Sequence, residues 1–216
     1  MTKGFFLVLE GGEGTGKSTV AKFLKDEFEK MGYVVYLTRE PGGSGSMVAE
    51  KIRSIILDKE NNVLPLTEAY LFAASRVQHV QEVILPHLNR GDLVICDRFV
   101  YSSYAYQGGG RDLGLKTIKT INEFAIQGCS PDLVLLFDLD PTLGLQRKRQ
   151  ARQEFDRLDN ETLKFHQRVR ETYLKLAREN PQLFRIIDVD QPIEKVQAKA
   201  WEEFINKIKE VSYDKN

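Results

Sequence analysis

The stretch GGEGTGKST, residues 11–19, sets Gly11, Gly16, Lys17 and Ser18 at the spacing GxxxxGKS, directly after the apolar run FFLVLE and directly before a segment of helical period. Strand, glycine loop and helix in that order is the context such a loop requires. Glycines let successive backbone N–H groups turn inward around phosphate oxygens, and a helix N-terminus adds positive potential. In that frame Lys17 reaches the terminal phosphates of a nucleoside triphosphate and Ser18 offers a hydroxyl to Mg2+. Gly11, Gly14, Thr15, Gly16, Lys17, Ser18 and Thr19 form the candidate cradle.

Such a loop identifies the donor and leaves the acceptor open. Asp97 ends the apolar run LVICD, where a carboxylate can hold Mg2+ directly or through water. No guanine-reading NKxD sequence is present, and no GxSxG or Cys/His arrangement offers a covalent nucleophile. Arg39 and Arg98 each follow an apolar run, so both are expected at the carboxyl edge of a sheet, where open α/β sheets bind ligands. Their planar forks suit phosphate. A third basic group, RKRQARQEFDR, carries Arg147, Lys148, Arg149, Arg152 and Arg157. A solvated helix face or a nucleic-acid patch would explain it. Beside a phosphate loop, a mobile lid that brings arginines onto a transferring γ-phosphoryl group explains it better.

A phosphate monoester, with a second pKa of about 6, is largely dianionic at neutral pH and attacks without losing a proton. Such an acceptor needs arginines rather than a base. In EAYLFAASRVQ, Phe72 and Arg76 lie four residues apart on one helical face, a flat surface and a hydrogen-bond donor for a nucleobase, although periodicity alone favours Phe72 as plain core. In DRFVYSSYAYQGGGR, Ser103, Tyr106 and Gln107 follow Arg98 as hydroxyl, phenol and amide groups that either contact base and sugar edges or pack. Gly108 to Gly110 read as the end of that helix.

Positioning these groups requires a sheet. Five apolar runs, at 5–10, 33–38, 92–97, 132–140 and 183–188, are continuous rather than alternating, as strands covered on both faces should be. Segments of helical period lie between them, at 20–31, 69–88, 115–127, 163–179 and 193–208. Alternation of this kind means a parallel sheet with right-handed crossovers. Asp140 before Pro141 and Asp190 before Pro192 read as helix starts, and Gly32 and Gly91 as helix stops. EPGGSGS, residues 40–46, is the one Gly/Ser-rich stretch and by composition alone a flexible loop.

The chain has 216 residues, 42% hydrophobic and 29% charged, which suits a folded domain with a sizeable core. A formal net charge of zero supplies no global field for duplex DNA or an anionic membrane, so any anion site is a local cluster. The N-terminal residues lack a long apolar stretch with a cleavage site, and the expectation is a cytoplasmic protein with no membrane and no nucleic-acid partner. Cys96 and Cys129 read as reduced thiols, and His79, His87 and His166 have no cysteine at zinc-ligand spacing. The readings left open are a nucleoside monophosphate kinase, whether for dTMP or for dUMP or dCMP, and a P-loop ATPase that binds nucleic acid.

Taken together, EGGEGTGKST, TREPGGS, LFAASRVQH, DRFVYSSYAYQGGGR and the basic segment ending EFDRLD resemble the bacterial thymidylate kinases, over about residues 5–208. The resemblance implies an α/β, three-layer P-loop kinase fold, with a five-stranded parallel sheet, helices on both faces and a short arginine-rich lid at about 147–157 in a single domain spanning 1–216. It implies Mg2+-dependent transfer of the ATP γ-phosphoryl group to dTMP, and a homodimer. By the same likeness Glu13, counted with the nucleotide loop, lies near the sugar 3′-hydroxyl and the metal. Arg39 and Arg98 hold the acceptor phosphate, Phe72 stacks on thymine and Arg76 donates to its exocyclic carbonyl. Ser103 and Gln107 meet the other polar edge, and Tyr106 crowds the 2′ position. Ser18 and Asp97 serve the metal. Members with a neutral residue after the loop acid, as at Gly14, carry catalytic arginines in the lid, here assigned to Arg149 and Arg152 beside Lys17 and Arg98. DRF stands where the family usually has DRY, so Phe99 lacks a hydroxyl.

Overall fold

A computed structural model of the chain describes residues 4–151 and 155–213. Its strands are β1 (Phe5–Gly11), β2 (Val35–Arg39), β3 (Leu93–Asp97), β4 (Leu133–Asp138) and β5 (Phe184–Asp188). All pair in parallel, in the order β2-β3-β1-β4-β5. Along each central strand alternate residues enter two separate cores. Phe6, Val8, Val94, Cys96, Val134 and Leu136 face one, while Leu7, Leu9, Leu93, Ile95, Leu133 and Leu135 face the other. Helices cover both faces, so every strand side is apolar, and the continuous apolar runs have their cause.

One face carries α1 (Lys17–Lys30) and α9 (Ile193–Tyr213), which contribute Val20, Leu24, Phe28, Val196, Ala200 and Phe204. The other carries α3 (Pro65–His79), α5 (Val100–Ser103) and α8 (Leu163–Glu179), with α2 (Met47–Leu57) and α6 (Leu115–Glu123) packed against α3. Helix α3 continues through a π turn, Val80–Ile84, into α4 (Leu85–Asn89). The last helix to place is α7 (Pro141–Gln150), capped by the Asp140 side chain accepting from Thr142 N. From β1 the chain goes to β2 on one side, and from β3 it crosses to β4 on the other, which opens a crevice at the carboxyl ends of β1 and β3. Arg39 and Asp97 are register partners at that edge.

One expected helix start changes. Asp190 is not the α9 cap, because α9 begins at Ile193; its carboxylate instead accepts from Arg147 Nη2 at 3.0 Å and ties α7 to the loop before α9. EPGGSGS, a flexible loop by composition alone, is held in place: Pro41, Gly42 and Gly43 are buried, Gly42 N donates to Ser75 Oγ and Gly43 N to Glu50 Oε1. Helix α2 was not read from the sequence, although Val48, Ala49, Ile52, Ile55 and Ile56 recur at helical spacing; Ala49 and Ile56 are buried, and Ile52 and Leu57 pack against the core. Gly108 to Gly110 do end a helical run, as its last turn before Arg111. Tyr104–Gly110 is a π segment that prolongs α5, and its glycines let α8 approach: a Cβ at Gly109 would collide with the Thr172 hydroxyl and one at Gly110 with the Phe165 ring.

Gly32 and Gly91 do follow helix ends, at φ 87° and 89°. Cys96 and Cys129 are buried thiols. Among the described residues no helix is long and apolar enough to cross a membrane. The glycine contact makes a prediction: Gly109→Ala forces α8 away from the π segment and lowers stability by about 1–3 kcal/mol, the usual cost of overpacking, read as a lower urea midpoint with an unchanged slope.

Candidate active site

The glycine loop closes over β1 with Gly11, Gly14 and Gly16 all at positive φ. Gly14 is needed twice, for its φ of 63° and because a Cβ there would collide with the carbonyl of Gly144; a Cβ on Gly144 would collide with the Glu13 carbonyl. The loop therefore packs backbone to backbone on α7. Lys17 folds back across the loop and donates to Gly12 O (2.7 Å), Thr15 Oγ1 (3.0 Å) and Gly11 O (3.2 Å). Burial and then Arg98 lower its pKa to about 8, so the ammonium stays charged at neutral pH. Ser18 Oγ donates to Asp97 Oδ2 at 2.8 Å, which joins the first turn of α1 to the end of β3.

Arg98 follows in a left-handed conformation, φ 72°, that a non-glycine residue adopts only when its surroundings enforce it. The enforcing group is Glu10. Its carboxylate is fully buried and accepts from Phe99 N, Ser102 N, Ser102 Oγ and Tyr173 OH, at 2.6–3.1 Å. Burial raises the Glu10 pKa, against the pull of those donors and of Arg98. With the turn so held, the Arg98 guanidinium lies over the Tyr106 ring, donates to Gly11 O at 2.8 Å and pairs with Glu13 Oε1 at 2.6 Å. Tyr106 OH donates to the same Glu13 oxygen at 2.7 Å. Burial would raise the Glu13 pKa, but Arg98, Lys17 and Tyr106 outweigh it and hold the carboxyl at about 2.

Across the crevice Arg39 is 47% exposed and chelated by both Glu50 oxygens at 3.0 and 3.2 Å. Arg53, from α2, stands beside it and donates to Pro41 O at 2.7 Å. Sequence reasoning missed Arg53, since α2 itself was not read; the polar start at Ser46, which caps Ala49 N, was the available signal. Phe72 lines the cleft, as do Tyr106 and Gln107. Arg76 and Ser103 do not. Arg76 is 1% exposed and lies beneath the wall, where Nε donates to Glu40 Oε2 (2.8 Å), Nη1 to Ser103 Oγ (3.0 Å) and Asn122 Oδ1, and Nη2 to Phe99 O (3.2 Å). Of five guanidinium donors one remains. Expected as a hydrogen-bond donor to a base, Arg76 is held here by a buried acid, Glu40, and lies beside Ser103, with that one N–H left over.

The basic segment divides. Arg147 and Lys148 line the cleft, and Lys148 Nζ bridges Asp159 Oδ2 (2.5 Å) and Glu13 Oε2 (3.9 Å). Burial, then Glu13 and Asp156, raise the Asp159 pKa to about 6 despite Lys148. Arg149 lies over the Phe155 ring and borders a different cavity, with Thr142 and Asn160, because it sits on the opposite side of α7. Arg157 turns away to Glu68 Oε2 at 2.6 Å. Arg152 falls outside the described residues.

The resulting cleft, about 430 Å³, is lined by the loop residues 13–19 and by six cations: Lys17, Arg39, Arg53, Arg98, Arg147 and Lys148. Cations on both walls, with a phosphate loop on only one, suit two phosphorylated ligands held at once. Fold and site thus define the class, a P-loop nucleotide kinase.

The sequence profile of the thymidylate kinases matches residues 9–200. A thymidylate kinase of Enterococcus faecalis is 47% identical over 211 residues, covering 96% of this chain and 99% of its own. Another, of Lactobacillus acidophilus, is 49% identical over 197 residues, covering 90% of each. The crystal structure of thymidylate kinase from Ehrlichia chaffeensis superposes with a TM-score of 0.76 at 29% identity, covering 94% of this chain and 98% of that one. The chain belongs to the thymidylate kinase family.

The Glu13 cluster has a pH signature. Its folded pKa of about 2 lies below the ordinary 4.5, so the stability it contributes is full above 4.5 and lost as pH falls through 2. The melting-temperature advantage of wild type over Glu13→Gln should therefore be constant near neutrality and shrink steadily below pH 4.5.

Proposed function

We propose that the cleft holds ATP and dTMP end to end and transfers the γ-phosphoryl group, giving dTDP and ADP. The observation that carries this reading is Arg98, whose guanidinium touches the donor loop through Gly11 O and also faces the acceptor side of the cleft. A cation at the junction stabilises negative charge on the equatorial oxygens during transfer, where it is worth most. No side chain needs to remove a proton, because the acceptor is a phosphate dianion.

The roles follow from position. Lys17 and the loop amides, from Gly11 to Thr19, hold the donor phosphates; to reach them Lys17 exchanges its carbonyl partners for phosphate oxygens. Arg39 holds the acceptor phosphate, with Arg53 as a second cation. Glu13 accepts from the sugar 3′-hydroxyl, and Tyr106 closes the 2′ side. Phe72 stacks on thymine and Gln107 meets its polar edge, with Arg76 and Ser103 supporting the wall from behind. Of the basic segment, read as a lid at about 147–157, Arg147 and Lys148 border the cleft and Arg149 reaches the phosphates on closure, with Arg152 assigned the same catalytic role. We read residues 1–216 as one kinase domain acting in the cytoplasm.

The Ser18 hydroxyl and Asp97 carboxylate, 2.8 Å apart beside the phosphate loop, are hard oxygen donors that fit Mg2+. Among the described residues no group of three or more His, Cys, Asp or Glu could cage a metal. That suits an ion held by one or two protein oxygens and by the phosphates themselves. Bound there, Mg2+ would neutralise charge on the donor phosphates. A homodimer is supported by an exposed apolar strip, Leu66, Tyr70 and Val77 on one face of α3 with the 82% exposed Phe124 nearby.

Initial ADP release with dTMP, dUMP, dCMP, GMP and AMP in parallel tests the substrate, and dTMP should lead. Lys17→Ala should reduce dTMP-dependent release by about 100-fold or more, and chelation with EDTA should abolish it until Mg2+ returns; a near-normal rate in the Lys17→Ala protein overturns the assignment. Sedimentation should give twice the chain mass, falling to the monomer in Tyr70→Asp; monomeric wild type would remove the dimer.

A further inference from the structure

Gln107 is fully buried at the wall of the cleft, and its two amide ends are treated differently. Nε2 donates to Glu68 Oε1 at 2.8 Å, whereas Oε1 is buried without a hydrogen-bond partner. Glu68 is itself fully buried, in the first turn of α3, and cannot turn away. Arg111 donates to it from Nε (3.2 Å) and Nη2 (3.0 Å), and Arg157 from Nη2 (2.6 Å). A carboxylate so clamped only accepts, so it must be offered the NH2 end of the neighbouring amide. The two ends of a glutamine are close in size and shape; what Gln107 shows to the cleft is decided by the residue behind it.

We propose that Glu68 is a positioning residue that sets the hydrogen-bond sense of the base pocket, by holding the Gln107 amide with its oxygen toward the ligand. The proposal rests on the reading that Gln107 meets the base edge. An acceptor in that place favours a pyrimidine carrying N3–H, as thymine and uracil do. Cytosine presents a lone pair at N3, so two acceptors would meet with no proton between them. A site built around a buried polar group rejects the ligand that leaves it unpaired far more strongly than a site that merely differs in shape. Glu68 therefore governs imide over aminopyrimidine recognition without touching the substrate.

The test is the ratio of kcat/KM for dTMP to that for dCMP. Glu68→Gln can offer Gln107 either an oxygen or an NH2, which frees the amide to turn over. The ratio should fall tenfold or more, with dCMP turnover rising and dUMP tracking dTMP. Glu68→Asp keeps the charge that Arg111 and Arg157 need but withdraws it by one methylene, and should lower the ratio as well, which covers the case where the glutamine variant does not fold. A purely structural role would depress all three substrates together; an unchanged ratio in the folded variants overturns the proposal. Gln107→Ala separates the two readings. If it lowers the ratio while the Glu68 variants do not, the base contact stands and the positioning role falls; if it too leaves the ratio unchanged, both fall.

Discussion

A carboxylate with no access to water, Glu10, anchors the catalytic end of this molecule. A buried charge left unpaired is severely destabilising, so it is met by four donors, from the turn after β3, from α5 and from α8. Satisfying it dictates the path of the chain after Asp97, including the left-handed conformation at Arg98. Tyr173 is drawn in from α8, and so the helix on which the π segment packs is registered against the end of the central strand. The direction of Arg98 is thus a by-product of one solvation problem on the sheet.

Most cations in the cleft carry a protein partner. Arg98 is matched by Glu13, Arg39 by Glu50, Lys148 by Asp159 and Arg147 by Asp190. Such pairs keep like charges from repelling one another and fix side-chain directions, so less ordering remains when a phosphate arrives. Lys17 differs. It is bonded to neutral oxygens only, so it can change to phosphate without leaving a carboxylate stranded. The contrast is between Lys17, whose bonded partners are all neutral, and Arg98, which carries a carboxylate partner.

Where function resides in backbone shape, sequence was a good guide. The glycine loop is encoded by spacing, and strand ends carrying Asp97, Arg98 and Arg39 are located by the apolar runs before them. Side-chain direction is not legible where a distant charge or the helical phase decides it. Arg76 has the helical spacing of a ligand residue, yet Glu40, thirty-six positions earlier, takes it inward. Arg149 looks equivalent to Arg147 along the chain, but one helical face separates them. The three glycines signal a helix stop and the run does stop at Gly110, but their second role, admitting α8 so closely, shows only in the tertiary packing. Arg53 escaped because α2 was not read, although its apolar residues 48, 49, 52, 55 and 56 recur at helical spacing.

The interlocked glycines 14 and 144 carry a mechanical corollary. Arg147 and Lys148 stand three and four residues beyond Gly144, one turn up a helix rising about 1.5 Å per residue. The distance from the glycine loop to these two cations is therefore gauged by main chain alone, like the fixed jaw of a caliper. Side-chain rotation can adjust the charges at its tip, but the jaw itself moves only if the glycine loop moves with it.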